Sequence, residues 1–342
     1  MLLGLPDELL LMILRLVDEG EKSDDISACR FVCKKLARIA EPIAFWRIIT
    51  YPSEGGCSRL LRLSESPLRR HVTNLFWFFE GFDANLAVSL GMFRRHARSP
   101  VGHRIFTALV AALAAATVTL EELVLGFYPY SLVDDHGPVG IIQGLSPAYA
   151  KLYRRAFRGL KILRITLPWS WDDRAEAINY AGLATLIGSA NELEELYMEA
   201  DENIELSRPE FFFRSIHVPK LEVLALANIQ YNKAKHLVDF VENHSATLRR
   251  LELHAVALNE GSWIPTLESM RDLLTLDSCS VCGLVDDSDS IQGVPDWAVQ
   301  NFLLRAGKVD KASELPRTHL DSYDCYSTLT TLFQSLVPTP SG

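Results

Sequence analysis

Cationic residues are in short supply in this sequence: 34 Lys and Arg stand against 43 Asp and Glu, for a formal net charge of -9. Phosphate backbones are held through a basic footprint, so this balance argues against a broad nucleic-acid interface. One basic cluster exists, FRRHAR at Phe93 to Arg98 with Arg104 nearby, and it reads as a solvated face. Long hydrophobic runs are missing as well. The longest, Ile105 to Leu120, falls short of the roughly 20 residues of a membrane span and is closed by Glu121 and Glu122, so a buried Ala-rich helix is expected there. The apolar run Leu9 to Leu14 follows Asp7 and Glu8, where a secretory leader would carry Lys or Arg. Cysteine is sparse: six residues, scattered and without a leader, predict free thiols in the cytosol or nucleus.

Catalytic signatures are equally scarce. The sequence contains no Gly-rich phosphate loop, no GxSxG elbow and no HExxH pair. His217, His236, His244 and His254 fall in separate segments. Cys279-Ser-Val-Cys282 has the spacing of a redox dithiol or half a zinc site, but no second CxxC or paired His completes it. Cys29 and Cys33 lie one helical turn apart, and burial accounts for them. The expectation is a protein with no catalytic residue, no metal and no cofactor.

What is present falls into two textures. Residues up to about 50 read as three short helices. Pro6 suits a first helical position, Asp7 and Glu8 suit the first turn, and LLLMILRLV follows from Leu9 to Val17. That helix is apolar nearly all round, so it must be covered on more than one side. After EGEKSDD a second pattern starts near Ser23 to Asp25, carries Ile26, Cys29, Val32, Cys33 and Leu36 on its apolar side, and continues to Ala40. Pro42 is expected to mark its boundary, with Phe45 and Trp46 as anchors beyond. So small a unit buries too little surface alone, and its surplus must meet the rest of the chain or a partner.

From about residue 70 a Leu-x-x-Leu-x-Leu phrase recurs: LEELVL from Leu120, LKILRI from Leu160, LEELYM from Leu193, LEVLAL from Leu221 and LRRLEL from Leu248. A weaker LLTLDS starts at Leu273, and VTNLFW from Val72 fits a divergent first copy. The later copies are spaced as leucine-rich repeats are, within 20–29 residues. Helical stretches such as AEAINYAGLATLIGSA and YNKAKHLVDFVENH lie between phrases. Strand, loop and helix in repetition predict a solenoid. The fourth and sixth positions of each phrase point inward, where burying one aliphatic stabilises by roughly 1.5–3 kcal/mol. The positions between them face the concave side: Glu122 and Val124, Ile162 and Arg164, Glu195 and Tyr197, Val223 and Ala225, then Arg250, Glu252 and His254. Of these, Glu122, Arg164, Glu195, Tyr197, Arg250, Glu252 and His254 are candidates for binding a target. Asp286 to Ser290 reads as a solvated acidic loop and SLVPTPSG as a tail.

Three stretches, LPDELLLMIL from Leu5, ISACRFVCKKLARIA from Ile26 and PIAFW from Pro42, together resemble the F-box. The layout resembles fungal F-box proteins with degenerate leucine-rich repeats. The resemblance implies an α/β chain: a three-helix F-box at residues 1–50, a right-handed leucine-rich-repeat-like α/β solenoid at 51–290, and a cap helix and tail at 291–342. It further implies a non-catalytic subunit of an SCF-type ubiquitin ligase, which docks on the Skp-type adaptor, and through it on a cullin–RING scaffold, and binds a protein substrate with its repeats. By position, adaptor contacts would fall on Leu5, Pro6, Leu9, Ile13, Leu14, Ile26, Val32, Cys33, Lys34 and Trp46. A repeat-based interaction scaffold working independently of ubiquitination remains the alternative. No nucleic-acid or membrane partner is expected.

Overall fold

The computed structural model describes residues 4–18, 23–50, 54–79, 110, 113–114, 119–127, 145–167, 180–206, 216–286 and 296–304. The chain opens with helices α1 (Asp7–Asp18), α2 (Ser23–Cys29) and α3 (Lys34–Phe45). Leu10, Leu14, Ile26, Leu36, Ile39, Ala40 and Ile43 form a small core of their own between them. Asp7, in the first turn of α1, pairs with Arg38 and Lys35 and so ties α1 to α3. Two boundaries differ from the sequence reading. The second helical pattern is broken at Arg30–Val32, where Cys33 turns extended at φ -163° and starts α3. Pro42 lies inside α3 instead of ending it. Its exposed position lets the ring displace only backbone that water can solvate.

A ten-stranded parallel sheet follows, laid down in chain order. Its main path runs β1 (Arg47–Thr50), β2 (Asn74–Phe79), β3 (Glu122–Phe127), β4 (Ile162–Leu167), β5 (Glu195–Leu206), β6 (Val223–Lys233), β7 (Arg250–His254) and β9 (Ser278–Cys282). The short strands β8 (Ala257–Glu260) and β10 (Val285–Asp286) pair beside it. Helices α4 (Glu54–Glu65), α5 (Ala150–Ala156), α6 (Tyr180–Ile187), α7 (Ala234–His244) and α8 (Trp263–Leu273) connect strands, and α9 (Asp296–Leu303) follows the last of them. Parallel strands need such crossovers, and strands consecutive in the chain are usually neighbours in the sheet.

Phrase positions four and six form one stacked layer: Leu123 and Leu125, Leu163 and Ile165, Leu196 and Met198, Leu224 and Leu226, Leu251 and Leu253 are all buried. The register corrects the last copy. Leu273 ends α8, and the strand beside β7 aligns Leu251 with Cys279 and Leu253 with Val281. The true phrase is Leu276-Asp-Ser-Cys279-Ser-Val281, with Cys279 in a leucine's place. The expected helix from Tyr231 is also shortened: Tyr231 is fully buried in β6, opposite Leu206 and Leu258, and the helix starts at Ala234.

A second regularity was not anticipated. Asn228, Ala255 and Gly283 each follow the first position of their phrase by seven residues and each has positive φ, 55°, 48° and 64°. At Ala255 and Gly283 the strand breaks and restarts, while β6 runs on through Asn228 and changes partner from β7 to β8; the next residues, Ile229 and Val256, are fully buried. The corner is held by Ala255 N–H to Cys282 O at 2.8 Å and by Asn228 Nδ2 to Ala200 O at 3.1 Å. Beyond it β6, β8 and β10 pair as a second ladder. An alanine in the left-handed region costs about 1–2 kcal/mol, more than glycine's entropy penalty of about 0.5–1 kcal/mol. Ala255→Gly is therefore expected to raise the urea midpoint slightly, and Gly283→Ala to lower it. Equal signs for the two would remove the conformational explanation.

The helices pack on the inward layer through Tyr153, Phe157, Leu186, Phe240, Trp263 and Met270, all almost fully buried. Asp286, expected in a solvated loop, is 3% exposed: its carboxylate accepts the Trp263 N–H at 2.7 Å and closes the first turn of α8. The indole of Trp263 donates to Val285 O at 2.9 Å. In α7, His244 is buried, accepts the Val218 N–H at Nε2 and bonds Phe240 O through Nδ1, which fixes a neutral ring. Burial foremost, and the neighbouring His217, hold its pKa below the ordinary value, against the Phe240 carbonyl. As pH falls below 6.5 the unfolded chain takes up the proton first, so stability present above that pH is lost toward the folded-state value. A lower urea midpoint at pH 5.5 than at pH 7.5 is expected, together with an NMR titration of the His244 ring below 6.5.

Helix α9 packs on β9, where Gln300 Nε2 donates to Val281 O at 3.0 Å and Arg271 lies over the Phe302 ring. In the Ile105–Leu120 stretch, Val110, Ala114 and Leu120 are buried. The Phe93–Arg98 cluster, Arg104, residues 287–290 and the SLVPTPSG segment lie outside the described residues. No helix among the described residues is long and apolar enough to cross a membrane.

Candidate functional sites

Two surfaces invite a partner. The first is on the helical unit. Its inner face is committed to its own core, yet Leu9 (46%), Met12 (61%), Leu16 (67%) and Val17 (36%) remain exposed on α1. Leu9, Met12 and Leu16 are three and four residues apart and so share a stripe. Phe31 (85%) and Val32 (66%) project from the turn between α2 and α3. Of the residues expected to meet an adaptor, Pro6, Leu9, Val32 and Lys34 are exposed, and Leu5, Ile13, Cys33 and Trp46 are half-buried. Leu14 and Ile26, at 5% and 0% exposure, lie in the core between the helices. The sequence does not single out Met12 and Leu16, because a helix apolar all round does not reveal which stripe its neighbours leave bare, nor Phe31, which lies in the turn at residues 30–32.

The second surface is the outer face of the sheet, where register decides which residues meet. Asn74, Glu122, Ile162, Glu195, Val223, Arg250 and Ser278 form one row, and Phe76, Val124, Arg164, Tyr197, Ala225, Glu252 and Ser280 the next. Four expected residues join in one network. Arg164 Nε donates to Glu122 Oε1 at 3.2 Å, and the other Glu122 oxygen accepts from Asn74. The Arg164 guanidinium sits 3.8 Å above the Tyr197 ring, and the Tyr197 hydroxyl donates to Glu195 Oε2 at 2.8 Å. Burial, then the bond to Glu195, pushes the Tyr197 phenol up to about 12, so it stays a neutral donor. Arg164 and Glu122 are only 15% and 14% exposed, so removing one would leave the other charged in a dry site.

Arg250 and Glu252 form a second pair. The positive charge of Arg164 and the negative charge of Glu252 both act on Tyr197, although Ala225 lies between Tyr197 and Glu252 in the register. Ala225 is small enough to let larger neighbours close over it, and it is only 2% exposed. Not every residue expected on this face is open to solvent: Val124, Ala225 and Glu252 are buried at 0%, 2% and 7%. His254 stands further along, with Ser280 Oγ 3.2 Å from Nε2 and Cys282 Sγ 3.5 Å from Nδ1. Burial lowers its pKa, opposed by the charges of Glu252 and Asp296. Asn74 and Ser280 were missed in the sequence; reading the last phrase from Leu276 would have found Ser280.

The CxxC is not a dithiol site. Residues three apart on a strand point to opposite faces, so Cys279 enters the core layer and Cys282 faces outward beside His254. Burial pushes the Cys279 thiol up to about 12, far from a reactive thiolate. Cys29, Cys33 and Cys279 are free thiols. No cluster of three or more metal-ligating side chains occurs among the described residues.

Residues 2–51 match the F-box-like family model, which covers the three helices and β1. The chain therefore carries an F-box-like domain. Such domains generally dock on Skp-type adaptors in cullin–RING complexes as non-catalytic subunits of SCF-type ubiquitin ligases. No curated protein matches the sequence.

Proposed function

We propose that this protein is a substrate receptor of an SCF-type ubiquitin ligase, acting in the cytosol or nucleus. Its F-box-like domain docks on the Skp-type adaptor through the bare apolar stripe of α1 and the Phe31–Val32 turn. Leu5, Pro6, Ile13, Cys33, Lys34 and Trp46 frame that contact. The parallel-stranded part, residues 51–290, is a leucine-rich-repeat-like solenoid resembling those of fungal F-box proteins, and residues 291–342 cap it. Its strand face binds the target protein.

The observation that carries this reading is the division of apolar residues in the helical unit: seven form a closed core, while Leu9, Met12, Leu16, Phe31 and Val32 stay outside it. Exposed apolar surface adjacent to a finished core marks an interaction site. The strand face is supported by its preorganised Arg164–Tyr197 stack, since Tyr and Arg dominate interface energetics and this pair is already held by Glu122 and Glu195.

Affinity purification of the full chain, with the proteasome blocked, tests both halves. The Skp-type adaptor and the cullin–RING scaffold are expected to co-purify, and to be lost together from a Leu9→Asp variant that keeps its target. Tyr197→Ala is expected to do the reverse, weakening target capture by roughly 30-fold or more while the adaptor stays bound. Adaptor binding with neither cullin recruitment nor target turnover would favour a scaffold that works outside ubiquitination.

A further inference from the structure

The helical side of the molecule bears a patch that neither surface above uses. Lys151, Arg154, Arg155 and Arg158 are all exposed, on α5 and the turn after it. They are spaced i, i+3, i+4 and i+7, so they share one face, while Tyr153, Ala156 and Phe157 bury the opposite one. Sequence positions 105–119 and 180–191 contain no charged residue, and neither do the four residues from Pro147 to Ala150. Among the described residues, Lys151, Arg154 and Arg155 have no carboxylate within ion-pair distance. In a chain of net charge -9, Lys151, Arg154 and Arg155 form a concentrated cationic cluster with no ion-pair partner among the described residues.

We propose that the outer face of α5 is a second docking surface and takes an acidic, carboxylate-rich segment of a protein partner. Three of its four cations are arginines, whose planar forks match carboxylates in pairs. The face is short, about 10 Å from Lys151 to Arg158 at the helical rise. An extended segment repeats its same-face side chains about every 7 Å, so two or three carboxylates fill it. A nucleic acid would run past the patch onto a negatively charged molecule. A membrane would need bulky apolar side chains exposed beside the cations, and among the described residues the exposed neighbours are Pro147, Ala148 and Ala181. Charge complementarity over a short footprint thus favours an acidic peptide. This surface is independent of what the strand face binds.

The test uses the full chain with its adaptor bound and a fluorescein-labelled deca-glutamate peptide, followed by fluorescence anisotropy. Binding is expected, weaker at about 150 mM than at about 50 mM salt. Arg154→Glu/Arg155→Glu is expected to weaken it by about tenfold or more. Lys233→Glu/Lys235→Glu makes the same change in net charge elsewhere and should leave the affinity unchanged. Should the reversal variant unfold, Arg154→Gln/Arg155→Gln makes the same comparison. The proposal is overturned if the wild-type chain does not bind the peptide, or if the α5 variant binds as well as wild type. It is equally overturned if the Lys233/Lys235 variant loses as much, or if single-stranded RNA or phosphatidylserine vesicles bind through Arg154 and Arg155 more tightly than the peptide.

Discussion

Leu9→Asp is expected to abolish capture of a purified Skp-type adaptor while the chain still melts cooperatively near its wild-type temperature. Leu9 is 46% exposed and shares a stripe with Met12 and Leu16, so a charge there costs the folded chain little. In an adaptor groove the same charge would be buried without a partner. The loss should reach that of an interface hot spot, roughly 30- to 1,000-fold in affinity. Phe31→Asp should behave alike. The contrast lies one residue further along α1. Leu10 is 1% exposed, and Leu10→Asp should melt the helical unit itself, with adaptor capture lost only as a consequence. Calorimetric titration with the adaptor, set beside circular dichroism melting, separates the two. Full-strength adaptor binding by Leu9→Asp would end the docking assignment.

Trp263→Ala is expected to be among the most destabilising single truncations in the parallel-stranded part, costing about 3–5 kcal/mol. The side chain is fully buried at the start of α8, and its indole holds Val285 O, which would be left without that donor. Asp286→Ala should cost less, about 1–3 kcal/mol, because it removes a carboxylate that accepts the Trp263 N–H and leaves the indole in place. Both act on one corner of the fold, so the double variant should fall short of the sum. Urea unfolding followed by intrinsic fluorescence at neutral pH measures all three. A Trp263→Ala loss below about 1 kcal/mol would show that this corner contributes little to global stability.

Legibility varied with how local the signal was. The inward leucines of five phrases were read correctly, because a period-two strand buried on one face writes itself into adjacent residues. The last phrase was misread by three residues, since Leu273 and Leu274 outbid Cys279 as core positions until the pairing with β7 fixed the register. Asp286 looked like one of several acidic loop residues, and only its approach to the Trp263 N–H, 23 residues away, distinguishes it. Leu14 and Leu16 differ by two positions and by no chemistry, yet one is core and the other surface.

From its residues alone the chain reads as alternating strands and helices after a short helical start, with thiols and histidines in no recognisable catalytic motif and the inward residues of five strands assigned. These follow from periodicity and residue type, which are properties of neighbours along the chain. Which apolar stripe of α1 is left bare, and the clasp of Arg164 between Glu122 and Tyr197, emerge with the packed fold. Packing also sets Lys151, Arg154 and Arg155 together with no ion-pair partner among the described residues. Such properties depend on segments dozens of residues apart, and packing, unlike periodicity, is settled only when those segments meet.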